Sequence, residues 1–185
     1  KALGAAQLTN GLRIGRPDAT FAQDMEPEYI AVSADSKAAV VTLQENNGVA
    51  IVDIANRRIV DVIGLGVKSH AQEGNGLDAS NKDGAINIRT WPTLGLYQPD
   101  SIVRATIAGV DYYLTANEGD ARDYDGFSEE ARVKDLTLDP AVFPNAAELQ
   151  MDENLGRLKT TTTFGDVDGD GDDDRIDDEA EGDGY

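Results

Sequence analysis

No cysteine occurs in the 185 residues, which excludes disulfides, thiolate nucleophiles and cysteine-ligated zinc within the chain. There is one histidine, His70, so a zinc site of several imidazoles is excluded as well. Basic residues are scarce: 16 against 35 acidic ones, for a formal net charge of -19. Such a field repels nucleic acid and anionic membrane surfaces, and neither is expected as a partner. No apolar run approaches the roughly 20 residues that span a bilayer, so direct membrane insertion is not expected either. No G-x-S-x-G elbow and no phosphate-binding P-loop is present. Ser69 beside His70 is not a triad, because sequence neighbours do not present their side chains to each other in that way. An initiator methionine is also lacking at Lys1, and the chain reads as a processed protein or a piece of a longer one.

What is present is a foldable chain, 40% hydrophobic by composition, with a concentrated strand signal between Pro27 and Ile63. Four short runs rich in β-branched residues (Tyr29–Val32, Ala38–Leu43, Val49–Ile54, Ile59–Ile63) are separated by turn chemistry at 33–37, 44–48 and 55–58. Four strands in about 40 residues make an antiparallel meander of the size of one propeller blade. A sandwich or an ordinary meander is the structural alternative. A second copy starts at Gln98: PDSIVRATIAGVDYYLTANEGD aligns with PEYIAVSADSKAAVVTLQEN, pairing Pro27 with Pro99, Ile30 with Ile102 and, after one insertion, Thr42 with Thr115. The expected fold is therefore all-β dominated. It is a partial β-propeller of antiparallel four-stranded blades with long loops, short helices and an aspartate loop. The expected layout is a lead-in over 1–26, a blade over 27–64, a long loop insertion over 65–97 and a second blade with a helical insertion over 98–163. An acidic calcium-binding loop follows over 164–185. Within the second blade, Ser128 before Glu129 and Glu130 predicts a helix N-cap. Asp139-Pro140 is a second cap signature, Asn145–Met151 a short helix, and Leu158–Phe164 a threonine-rich strand.

The charge is uneven. Residues 166–185 hold eleven of the acids and a single arginine. Asp166, Asp168 and Asp170 fall at positions 1, 3 and 5 of a calcium loop with Gly171 at position 6, and the Asp172 carbonyl falls at position 7. Calcium takes six to eight oxygens, and alternate carboxylates on a tightly curled backbone supply them. Asp174 closes a short loop at position 9, whereas Asp177 closes an EF-hand-like loop at position 12. The shorter loop is favoured, because an EF-hand needs an apolar residue where Asp173 stands and helices on both sides. Asp177, Asp178 or Asp183 could then serve a second ion. A solvated acidic linker is the plainer reading of any charge run. Three alternating aspartates with placed glycines behind a strand favour calcium.

The stretches EPEYIAVSADSKAAVVTLQENNGVAIVDIA, GNGLDASNKDGAINIRTWP, YQPDSI and TANEGDARDYDGFSEEARVKDLTLDP together resemble the choice-of-anchor I domain of bacterial and archaeal extracellular proteins. The resemblance implies a β-propeller, often carrying calcium loops, secreted and held at the cell surface by varied C-terminal anchors. It also implies a domain longer than this chain. Some members carry the label alkaline phosphatase.

Two further clusters of oxygen ligands stand out. Glu73, Asn75, Asp78, Asn81, Asp83 and Asn87 lie in the insertion. Glu118, Asp120, Arg122, Asp123 and Asp125 follow the second copy. Either could line a propeller mouth and bind metal or polar substrate, and either could equally be turn-capping Asx chemistry. His70 in a polar loop is more often incidental than catalytic, and Trp91-Pro92 and Tyr112-Tyr113 read as packing residues. The functional expectation is a calcium-binding extracellular segment with a structural, adhesion or surface-assembly role. Its partners are calcium and other copies or the remainder of the same propeller. The alternative is a calcium-dependent phosphoesterase, with Glu118, Asp120 and Arg122 as weak catalytic candidates. Phosphate normally needs basic residues as well as metal, and Lys82, Arg89 and Arg122 are the few available.

Overall fold

The computed structural model describes residues 10–16 and 18–178. The chain divides into two compact units. One comprises the residues up to Gly66 together with Tyr97–Asp120, and the other Val67–Leu96 together with the chain from Ala121.

In the first unit, β1 (Pro27–Val32), β2 (Ala38–Leu43), β3 (Gly48–Asp53) and β4 (Arg58–Gly64) form an antiparallel sheet in sequence order. The three connecting turns share one solution. Each closes a backbone bond, from Ser36 N to Ser33 O, Asn47 N to Gln44 O and Arg57 N to Ile54 O. Each then places Ser36, Asn47 or Arg57 in the left-handed region, at φ 58°, 52° and 49°. Strand β2 is apolar almost throughout because both of its faces are covered. Val41 and Leu43 meet Leu12, Ala50 and Val62 on one side, with Phe21 and Met25 against them. Val40 meets Ala31 and Ile102 on the other. A short helix, α1 (Phe21–Asp24), precedes the sheet. Its buried Asp24 carboxylate accepts from Gly15 N, Arg16 N and Asn46 Nδ2.

The chain leaves this unit after Gly66, runs through β5 (Val67–Ser69) and β6 (Thr93–Leu96), and returns in a long hairpin of β7 (Pro99–Ile107) and β8 (Val110–Asn117). Ala108 and Gly109 turn that hairpin with φ 50° and 80°, the two consecutive positive values of a type I′ turn. Departure and return are tied to one side chain. Asn47 Nδ2 donates to Gly11 O (3.0 Å) and Gly66 O (2.7 Å), while its Oδ1 accepts from Tyr97 N (2.8 Å) and Gln98 N (3.1 Å).

The second unit adds β9 (Asp123–Tyr124), β10 (Phe127–Ser128), β11 (Glu130–Arg132), β12 (Lys159–Thr161) and β13 (Ile176–Asp178). β9 and β10 pair with each other. A five-stranded mixed sheet runs β11-β12-β13-β6-β5, parallel only between β13 and β6. Its core gathers Trp91, Val133, Leu138, Phe143, Leu155 and Ile176, together with Leu149 of α2 (Ala146–Leu149).

The architecture is all-β with several antiparallel pairings and few short helices. No closed barrel or propeller is present among the described residues. Where a second four-stranded blade was expected, β7 and β8 form a two-stranded hairpin. Of the strands that follow, β11, β12 and β13 join β5 and β6 from the segment expected to be loop. The helix expected after Ser128 is absent, and β11 begins at Glu130 instead. Its cause is tertiary. The fully buried Glu129 carboxylate accepts from Arg122 N, Thr161 Oγ1 and Thr163 Oγ1, and those bonds outweigh local helix preference. The helix expected near Asn145 is α2, and the threonine-rich strand is β12. Asp183 and the acids from Glu179 onward, like residues 1–9 of the expected lead-in, lie outside the described residues.

Candidate metal centre

The aspartate loop is pinned at both ends. Asp174 N donates to Gly165 O, Asp173 N to Thr137 O, and Asp139 N to Asp173 O, so Leu138 and Asp173 form a parallel bridge. Gly165 admits no side chain there: a Cβ would stand 2.2 Å from Asp173 Oδ1 and 2.9 Å from Arg175 O. Between the pins, Gly169 and Gly171 take φ of 83° and 102°, values that L side chains rarely adopt. The chain curls around its own carboxylates. Asp166 accepts from Gly169 N and Gly171 N, Asp168 from Asp170 N, and Asp170 from Asp172 N. Asp174 Oδ2 accepts from Val167 N and Asp168 N.

Two groups of carboxylates result, and they share one member. Asp166, Asp168 and Asp174 each bring an oxygen within 4.8 Å of the others, and so do Asp139, Asp172 and Asp174. Calcium–oxygen distances of about 2.3–2.6 Å allow two ligands of one ion to stand up to roughly 5 Å apart, so both groups are of the right span. The electrostatics show the cost of this crowding. Burial, hydrogen bonding to Asp170 and the charges of Asp170, Asp139 and Asp174 push the Asp172 carboxyl up to about 6. The Asp170 charge raises Asp168, and burial followed by the charges of Asp166 and Asp174 raises Asp173. Asp172 Oδ1 is covered and has no hydrogen-bond partner. A cation would supply what that oxygen and its neighbours lack.

The loop residues expected as ligands thus divide. Asp166, Asp168, Asp172 and Asp174 sit in these groups, and Asp170 braces the loop through Asp172 N. Asp177 stands elsewhere: it belongs to β13, and its Oδ2 accepts from Arg175 Nε at 2.8 Å. Asp139 was expected as a helix cap and not as a ligand. It reaches the loop because Leu138 bridges Asp173, 35 residues further along. Spacing within the acid run carries no trace of it.

The first of the other two clusters carries turn chemistry. Asp78 Oδ2 accepts from Asn87 N and Asp83 Oδ1 from Ala85 N, while Asn75 caps Ser69 O and its carbonyl meets His70 Nδ1 at 2.6 Å. Glu73, Asn81 and Asn87 are exposed. Buried His70 is depressed, chiefly by desolvation. Glu118, Asp123 and Asp125 are exposed and Asp120 is half-buried, with its carbonyl accepting from Gln98 Nε2. Two of the three basic candidates for a phosphate site are engaged by other groups. Arg89 lies over the Trp91 ring at 3.8 Å and donates to Asn154 Oδ1. Arg122 is buried with Nη1 3.6 Å from Glu129 Oε1, and Lys82 is exposed. Trp91 is a core residue whose Nε1 donates to Leu77 O.

No helix among the described residues is long and apolar enough to cross a membrane. Comparison with curated proteins and with solved structures returned no match. The family model of the choice-of-anchor I domain matches residues 2–178, and the chain belongs to that family. Membership places it among surface-associated extracellular proteins.

Proposed function

We propose, for this choice-of-anchor I domain, that it is a calcium-stabilised extracellular module with a structural, adhesion or surface-assembly role. One ion would be held by Asp166, Asp168 and Asp174, and a second by Asp139, Asp172 and Asp174. The observation that carries the reading is the covered, unpartnered Asp172 Oδ1 set among carboxylates. A purely solvated linker would leave such an oxygen in water. Calcium here is structural: it would neutralise the loop and tie the 137–139 segment to it. We also read β1–β4 as one blade of a propeller, on the strength of a four-stranded antiparallel meander in sequence order. The phosphoesterase reading receives no support from Arg89 or Arg122, since both are committed to other partners.

The test is thermal unfolding in millimolar calcium and in excess chelator, with Asp168→Ala/Asp174→Ala as the comparison. Calcium at about 100 times its dissociation constant stabilises the native state by roughly 2.7 kcal/mol. For a chain of this size that is a rise in Tm of about 5–10 °C. The double variant should lose the rise. A wild-type melt indifferent to calcium would return the loop to the status of a solvated acidic run.

A further inference from the structure

One exposed face of the β7–β8 hairpin is apolar. Its register sets Val103 opposite Leu114, Ala105 opposite Tyr112 and Ile107 opposite Val110 on one side. Five of these six side chains are between 46% and 59% exposed, and Ala105 is half-buried. On the opposite side, Ile102 enters the core, and the only charged pair of that stretch, Arg104 and Asp111, meets at 2.9 Å with Thr106 beside it. This apolar face therefore carries no charge, on a chain whose net charge is -19. It offers roughly 500 Å² of contiguous apolar surface, the size at which a patch on a monomer usually has a function.

We propose that this face is a self-association surface, packing against the same face of a second copy across a two-fold axis. Three features fix the occupant. A basic partner would be drawn to the acidic remainder of the chain, not to a face without charge. The strand is self-complementary about Tyr112, so a two-fold sets Val110 against Leu114 of the other copy and brings no like charges together. Two such faces bury about 1,000 Å² in total, the lower end of a specific interface, which makes a weak and concentration-dependent dimer. Face-to-face packing removes the apolar side chains from water, whereas adding a strand to the β8 edge would leave them exposed.

Sedimentation equilibrium of the whole chain from about 1 µM to about 1 mM reads this directly. The mass should rise from 19.7 kDa toward twice that value. Association should tighten with salt, because screening relieves the repulsion between two acidic copies. Leu114→Glu should weaken it at least tenfold. Leu114→Thr, which suits an exposed strand, should weaken it as well, with an unchanged circular dichroism spectrum. A mass of 19.7 kDa at every concentration and salt would overturn the proposal and give the face to another occupant. So would a dimer that Leu114→Glu leaves intact.

Discussion

Replacing Asn47 by alanine removes four hydrogen bonds at one fully buried point. The lost partners are Gly11 O, Gly66 O, Tyr97 N and Gln98 N. These are backbone groups of three separate segments. At about 1 kcal/mol for each bond, with some rehydration of the loop carbonyls, the loss is roughly 3 kcal/mol. Alanine at φ 52° adds about 1 kcal/mol of left-handed strain that asparagine bears more easily. The expected cost is therefore about 4 kcal/mol, a large part of a domain stability of roughly 5–15 kcal/mol. Asn47→Gly separates the two contributions, because glycine keeps the turn free of strain while losing the same four bonds. It should be about 1 kcal/mol less damaging than Asn47→Ala. Urea unfolding followed by far-ultraviolet circular dichroism measures both, with m-values compared to check that the transition stays cooperative. A loss below about 1 kcal/mol for Asn47→Ala would refute the clip. Equal losses for the two variants would refute the strain argument alone.

Four other outcomes follow from the structure. Because the Asp172 carboxyl is pushed up to about 6 from 3.8, the folded apo chain binds a proton more tightly than the unfolded one, and apo stability should fall as pH rises through that window. Calcium affinity should fall as pH drops below about 6, since protons compete for the same oxygens; titration calorimetry at several pH values gives the slope. His70 is depressed below its ordinary 6.5 by burial, so its contribution is complete above that value and is lost as pH falls. His70→Gln should flatten the acid limb of a pH–Tm profile there. Glu129→Ala removes the carboxylate facing the buried Arg122 guanidinium and should cost about 3–5 kcal/mol in urea unfolding.

The first sheet was legible because its information is local. Turns at Ser36, Asn47 and Arg57 fall in polar stretches between β-branched runs, and each strand pairs with its neighbour in sequence. Of the second sheet only the threonine-rich β12 was legible, because the strands at Val67–Ser69, Glu130–Arg132 and Ile176–Asp178 are three residues long and pair with distant segments. Partners so distant leave no periodic trace in the sequence. Ser128 misled for a related reason: its local chemistry is that of a cap, but Glu129 answers to Thr161 and Thr163. At the acidic loop, the spacing grouped Asp166, Asp168 and Asp174, whose oxygens lie within 4.8 Å of one another. It could not distinguish a loop carboxylate from the strand residue Asp177, nor see that Leu138 carries Asp139 to the same place.

The position of β13 sets an order of assembly. It is the middle strand of its sheet, yet it pairs with β6 more than eighty residues after that strand has been made. A chain synthesised from its N-terminus can complete β1–β4 early, while β5 and β6 wait with one edge open. Loop closure over that separation makes the second unit the slow step of folding. Two residues separate the pinned Asp173 from Ile176, so ordering of the acidic loop and docking of the middle strand should occur as one kinetic event.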